Sequence, residues 1–114
     1  MVDYLNLSYD QEGDILELKF SDLAPTVGVE LSDNIVFHYN RETRTPVRIM
    51  FIGYSKLIQL DNLTLDGLDD VSDEIREEVL DILFRRPVNR VVESSGAHNR
   101  IRFSNPRLND LVGV

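Results

Sequence analysis

The sequence predicts an α+β fold, a small and mostly antiparallel β-sheet followed by one amphipathic helix and a C-terminal β-hairpin. Three observations predict it. Apolar and polar residues alternate through the first half of the chain, one stretch between residues 72 and 86 switches to helical spacing, and alternation returns between 88 and 103. With 114 residues, 42% of them hydrophobic, residues 1–114 suffice for one core and read as a single domain.

Leu5, Leu7 and Tyr9 alternate with Asn6 and Ser8, as a strand with one covered face requires, and "DILELKF" resumes the pattern with Leu16, Leu18 and Phe20. Between them "DQEG" has turn composition. There Asp10 can cap the turn with its carboxylate and Gly13 can take a positive φ. Beyond "SDLAP", two further strands are predicted, one carrying Val27, Val29 and Leu31 and one carrying Ile35, Phe37 and Tyr39 on a single face. A fifth, "VRIMFIGYS", sets Val47, Ile49 and Phe51 against Arg48, Met50 and Ile52. Two largely apolar faces place it centrally in the sheet or under cover on both sides.

Residues 61–71 read as an acidic connector with little periodicity. A helix over 72–86 comes next. Ile75, Val79, Ile82 and Leu83 recur at i, i+4, i+7 and i+8, which stacks them on one stripe. Acids fill the first turns, Arg85 and Arg86 the last, and Pro87 marks the stop, an order that suits the helix dipole. "VNRVVES" and "NRIRFSN", separated by "SGAH", make the predicted hairpin over 88–103.

The net charge of −8 is unevenly distributed. Residues 1–60 hold 9 acids and 5 bases, residues 61–84 hold 9 acids and 1 base, and residues 85–114 hold 2 acids and 6 bases. Zero cysteines exclude disulfides, thiolate metal sites and cysteine nucleophiles. The chain has no apolar window of membrane-spanning length, and its first residues, "MVDYLNLSYDQEGD", lack the basic and apolar regions of a signal peptide, so the expected location is the cytoplasm, with no membrane partner.

Motifs that carry chemistry are scarce. Asp10, Glu12 and Asp14 fill positions 1, 3 and 5 of a calcium loop, but Ile15 stands where glycine is needed, Ser21 stands where a bidentate glutamate is needed, and the flanks are strands. His38 lies mid-strand on the polar side. His98 sits in a turn near Ser94 and Ser95 without a nucleophile elbow. Gly53, Gly67, Gly96 and Gly113 are isolated, so no phosphate-cradling loop is present. Neither a cofactor, nor a metal, nor a catalytic residue is expected, and the chain reads as a non-enzyme.

Electrostatics supplies the candidate contact residues. If 88–93 and 99–103 pair as strands, Arg90, Arg100 and Arg102 can converge beside Asn99 and Phe103 to meet phosphates or an acidic protein. On the acidic side, Asp69, Asp70, Asp73 and Glu77 lie within the segment Asp66 to Asp81, whose clustered carboxylates can cover a cationic surface.

In "YDQEGDILELKF" and "NIVFHYNRETRTPVRIMFIGYSK" the chain resembles a widespread bacterial family known as domain of unknown function 2283. Tyr9, Asp10, Glu12, Asp14 and Leu16 carry the first match, and Ser55 followed by Lys56 closes the second. The resemblance covers about residues 5–60. Where the family commonly has glycine, isoleucine and glutamate in the returning strand, this chain has Arg48, Ile49 and Met50. The resemblance implies a compact sheet domain with no established activity, some of whose relatives are antitoxin-like partners of small toxins. The expected function is a non-enzymatic protein-interaction module, an antitoxin-like inhibitor included. The alternative is a nucleic-acid-associated factor using the basic hairpin. Exposed sheet edges also make a homodimer an expectation.

Overall fold

The computed structural model describes residues 6–96 and 99–103. Five strands, β1 (Asn6–Asp10), β2 (Ile15–Lys19), β3 (Val27–Ser32), β4 (Ile35–Asn40) and β5 (Thr45–Ile52), form one sheet in the order β1-β2-β5-β4-β3. Every neighbouring pair is antiparallel. The alternation read from the sequence is the alternation of this sheet. Leu16, Leu18, Phe20, Val29, Leu31, Ile35, Phe37, Tyr39, Val47, Ile49 and Phe51 are buried on its inner face. β5 lies in the middle of the sheet. Among the described residues its second face carries no covering layer, and Arg48 and Met50 are half-buried there while Ile52 is exposed.

The inner face is closed by the chain beyond β5. A short helix α1 (Tyr54–Leu57) leads to β6 (Leu63–Thr64) and a 3-10 helix, Asp66–Asp70. Next come α2 (Asp73–Leu83), a 3-10 turn at Val88–Arg90, β7 (Val92–Ser94) and β8 (Arg100–Phe103). The last three strands form a second sheet, β6-β8-β7. Leu63, Val92 and Ile101 from it join Val79, Ile82 and Leu83 of α2 in the same core cluster as the large sheet. Phe103 packs its ring 5.0 Å from Phe51 and 5.6 Å from Tyr54, so β8 is seated on β5 and α1 through aromatic contacts.

Four expectations change. Residues 61–71 are not a loose connector, because Leu63, Leu65 and Leu68 are buried and β6 pairs with β8, making the predicted hairpin the rest of a three-stranded sheet. The helix starts where expected, with the Ser72 hydroxyl accepting the Ile75 N–H at 3.2 Å, but it ends at Leu83 rather than at residue 86. Pro87 disfavours helical backbone at Arg86, the residue before it, and the chain has already left helical geometry at Phe84. Arg85 instead bridges to Asp81 at 3.5 Å and donates to the Arg44 carbonyl at 2.6 Å. The positive φ of the first turn belongs to Asp14, at 54°, and not to Gly13. Aspartate is among the few side chains that tolerate this region, and here its hydrogen bonds hold it there. Lastly, residues 88–90 are a 3-10 turn and the hairpin strand begins at Val92. Leu5, His98 and the terminal "PRLNDLVGV" lie outside the described residues.

β3 is an edge strand, and the 3-10 helix Asp66–Asp70 lies against it. Gly67 makes the approach possible, since a Cβ at that position would stand 1.8 Å from the Glu30 carbonyl oxygen. Any side chain must push helix and strand apart. Gly67→Ala is therefore expected to destabilise the protein by about 2 kcal/mol or more, the upper range of overpacking, read as a lower urea midpoint at unchanged slope. A variant as stable as wild type would mean that the contact is loose.

Candidate functional site

Three polar constellations stand out from the core. The first is built on Asp14. Its Oδ1 accepts the Tyr9 hydroxyl at 2.7 Å and the Ser55 N–H at 3.0 Å, and its Oδ2 accepts the Ser55 hydroxyl at 2.6 Å. The Asp14 carbonyl accepts the N–H groups of Gly53 and Tyr54 at 2.8 and 3.0 Å. One residue thus ties the β1–β2 turn to the junction of β5 and α1. The Ser55 hydroxyl and then the Tyr9 hydroxyl hold the carboxyl below its ordinary value, and the same bond pushes the Tyr9 phenol up. A carboxylate so stabilised is a weak base, so the Asp14–Ser55 pair suits anchoring better than proton transfer. The three opening acids do not converge. Asp10 accepts the Glu12 N–H at 3.1 Å as a turn cap, Glu12 is exposed, and Asp14 is engaged elsewhere.

The second constellation lies between helix and sheet. Glu78 of α2 is buried, 4% exposed, and accepts the Tyr39 hydroxyl at 2.9 Å and the Arg41 Nε on both oxygens at 3.1 and 3.0 Å. Arg41 also reaches Glu74 through Nη2 at 2.5 Å. Burial pushes the Glu78 carboxyl up, but the bonds from Tyr39 and Arg41 outweigh it and leave the group below its ordinary value. Burial and then the Glu78 bond push the Tyr39 phenol well above its usual range. Sequence reading missed this cluster. Its signal was present, because position 78 falls on the apolar stripe between Ile75 and Val79 and is occupied by an acid.

The third is an acidic ledge. Asp69 and Asp70 project from the 3-10 helix and Asp73 and Glu77 from α2, all exposed. Asp66 on the same 3-10 helix lines a cleft of about 250 Å3 together with Glu30, Asp33, Gly67 and Val71. Of the four acids predicted from sequence, Asp73 is bridged to Arg76 at 3.2 Å. Among the described residues, Asp66, Asp69, Asp70 and Glu77 have no cationic partner. Glu30 and Asp33 were not anticipated, since only the docking of the 3-10 helix on β3 brings them beside Asp66.

The arginines are arranged differently. Arg100 and Arg102 share an exposed face of β8, as their spacing requires, but Arg102 is bonded at 2.7 Å to Glu93, its direct partner across β7. Arg90 sits in the 3-10 turn that precedes β7 and not on a strand opposite them, so the predicted convergence of the three does not form. Arg41, Arg76 and Arg85 are bonded to Glu78, Asp73 and Asp81. His38 lies on the outer face beside Arg48, 3.5 Å from its Nε, where burial and then that guanidinium lower its pKa. The Ser95 hydroxyl is donated to Asn62. Among the described residues no group of three acidic or histidine side chains is placed to hold a metal ion.

Neither a family model, nor a curated protein, nor a solved structure matches this chain.

Asp14 and Glu78 give the fold a defined response to acid. Both native values lie below the ordinary 3.8 and 4.5, so the stability they add is complete above those values and is lost as pH falls through the native ones. The urea midpoint is expected to drop between about pH 5 and pH 2, and Asp14→Asn and Glu78→Gln should each flatten that limb while lowering stability at neutral pH. An acid limb unchanged by both substitutions would assign it to other groups.

Proposed function

We propose that the protein is a non-enzymatic interaction module that presents its acidic ledge to a cationic surface of a partner protein, as an antitoxin-like inhibitor does. The observation that carries this reading is the imbalance of pairing. Arg41, Arg76, Arg85 and Arg102 are bonded to the chain's own carboxylates, whereas Asp66, Asp69, Asp70 and Glu77 have no cation beside them among the described residues. Clustered carboxylates on a rigid ledge can take the place of phosphates in a cationic active site. Membership of the bacterial family that the first half resembles belongs to the same proposal, supported by the meeting of Tyr9, Asp14 and Ser55 at one junction. On this reading the protein works in the cytoplasm. Among the described residues no helix is long and apolar enough to cross a membrane.

The nucleic-acid reading keeps one supporting observation, the shared exposed face of Arg100 and Arg102. Against it stand the Glu93 bond to Arg102 and the repulsion of a polyanion by a chain of net charge −8.

Capture from native lysate with and without nuclease separates the two, using wild type, D69K/D70K/E77K and R90A/R100A/R102A. The expected result is a basic protein held stoichiometrically, resistant to nuclease, lost with the acidic triple variant and kept with the arginine variant. Nucleic acid lost to nuclease and to the arginine substitutions would instead establish the second reading.

A further inference from the structure

We propose that a groove lined by the β3–β4 turn and the α1–β6 segment receives an extended stretch of a basic partner protein, a large apolar side chain in one part and a lysine or arginine in the next. The proposal rests on the acidic-ledge reading and adds an apolar anchor to it. Two adjoining parts make up the groove. One, of about 310 Å3, is lined by Ile35, Leu57, Leu60 and Leu63, and the other is the acidic cleft of about 250 Å3. Ser32, Asp33 and Asp66 line both.

Exposed apolar surface singles out the first part. An isolated exposed leucine is ordinary, but here the exposure is concentrated. Four large apolar side chains are exposed among the described residues, and three of them, Ile52, Ile58 and Leu60, fall within residues 52–60. That stretch supplies Leu57 and Leu60 to the groove. Leu60 is 55% exposed, whereas Ile35, Leu57 and Leu63 are held in the core. The polar lining is held as well. Asn34 accepts the Ile52 N–H on its carbonyl at 2.8 Å and donates its side-chain amide to the Ile52 carbonyl at 2.9 Å, and Asn62 accepts the Ser95 hydroxyl. A groove fixed in this way loses little freedom when it is filled.

Charge identifies the occupant. Asp33 and Asp66 have no cation beside them among the described residues, and Glu30 and Asp70 join them in the second part. A base next to the apolar side chain therefore gives each part its complement, and an acid in its place is repelled. Side chains at i and i+2 of an extended chain point to the same side about 7 Å apart, a spacing suited to neighbouring clefts of side-chain size. A cationic surface without an apolar neighbour meets only the second part.

Selection from a random heptapeptide phage library on the immobilised full chain tests it, with wild type, L60S and D33N/D66N as targets. All three positions are exposed, so circular dichroism and the urea midpoint of both variants should match wild type. Wild type is expected to enrich peptides that carry leucine, isoleucine, methionine or phenylalanine two positions from a lysine or arginine. L60S should keep the basic preference and lose the apolar one, and D33N/D66N should do the reverse. The leading peptide, made synthetically, should move the amide signals of Leu57, Leu60, Leu63 and Asp66 and bind L60S roughly fivefold more weakly. A pool enriched in bases alone and indifferent to L60S overturns the groove and leaves the ledge reading standing. An apolar and basic pair selected equally by both variants, signals confined to other surfaces, or no enrichment at all each overturn it too, while the D69K/D70K/E77K capture judges the ledge separately.

Discussion

A charge buried between α2 and the sheet governs how this molecule is assembled. Glu78 can remain ionised out of water only while Tyr39 and Arg41 supply donors, and this requirement fixes the rotation of the helix about its axis. Turning α2 by one residue, about 100°, would withdraw the carboxylate from its donors and drive Glu77 toward the core. With Glu78 turned in, Glu77 is left exposed, and Glu74, one turn before Glu78 on the same side of the helix, holds Arg41 at the rim. The exposure of Glu77 on the ledge thus follows from the phase that the buried acid imposes on α2.

The charge distribution obeys the same logic. Several arginines stand where they satisfy carboxylates or carbonyls of the fold, Arg76 reaching the Leu68 carbonyl at 3.1 Å as well as Asp73, and Arg85 reaching the Arg44 carbonyl. Such bonds join the helix region to the segments before it, so these bases serve cohesion. The acids of the 3-10 helix have no such employment among the described residues, and a one-sided field results.

Local periodicity made most of the fold legible. The strands could be read because Leu16, Leu18, Phe37, Tyr39, Ile49 and Phe51 repeat every second residue, and α2 because Val79, Ile82 and Leu83 repeat at helical spacing. The features that escaped were tertiary. Leu63 and Leu65 already alternate, but a two-residue strand carries too little pattern to be distinguished from a loop. Gly67 looked like an isolated glycine because its reason, the backbone of β3, lies far away in the sequence. The acidic ledge was half visible, as a run of acids, and half hidden, since Glu30 and Asp33 reach it only through the packing of a segment that had no predicted structure. The arginine site failed for a local reason: a short 3-10 turn, Val88–Arg90, replaced the first three residues of the predicted strand.

The 3-10 helix seated on β3 through Gly67 has a consequence for how the sheet can grow. A sheet with two bare edges can add strands without end, which is the geometry of fibres. Here one margin is sealed by backbone packed against backbone, and among the described residues only the β1 margin is presented to another chain. Two copies joined along β1 would carry sealed margins on both outer sides, so strand addition would stop at two.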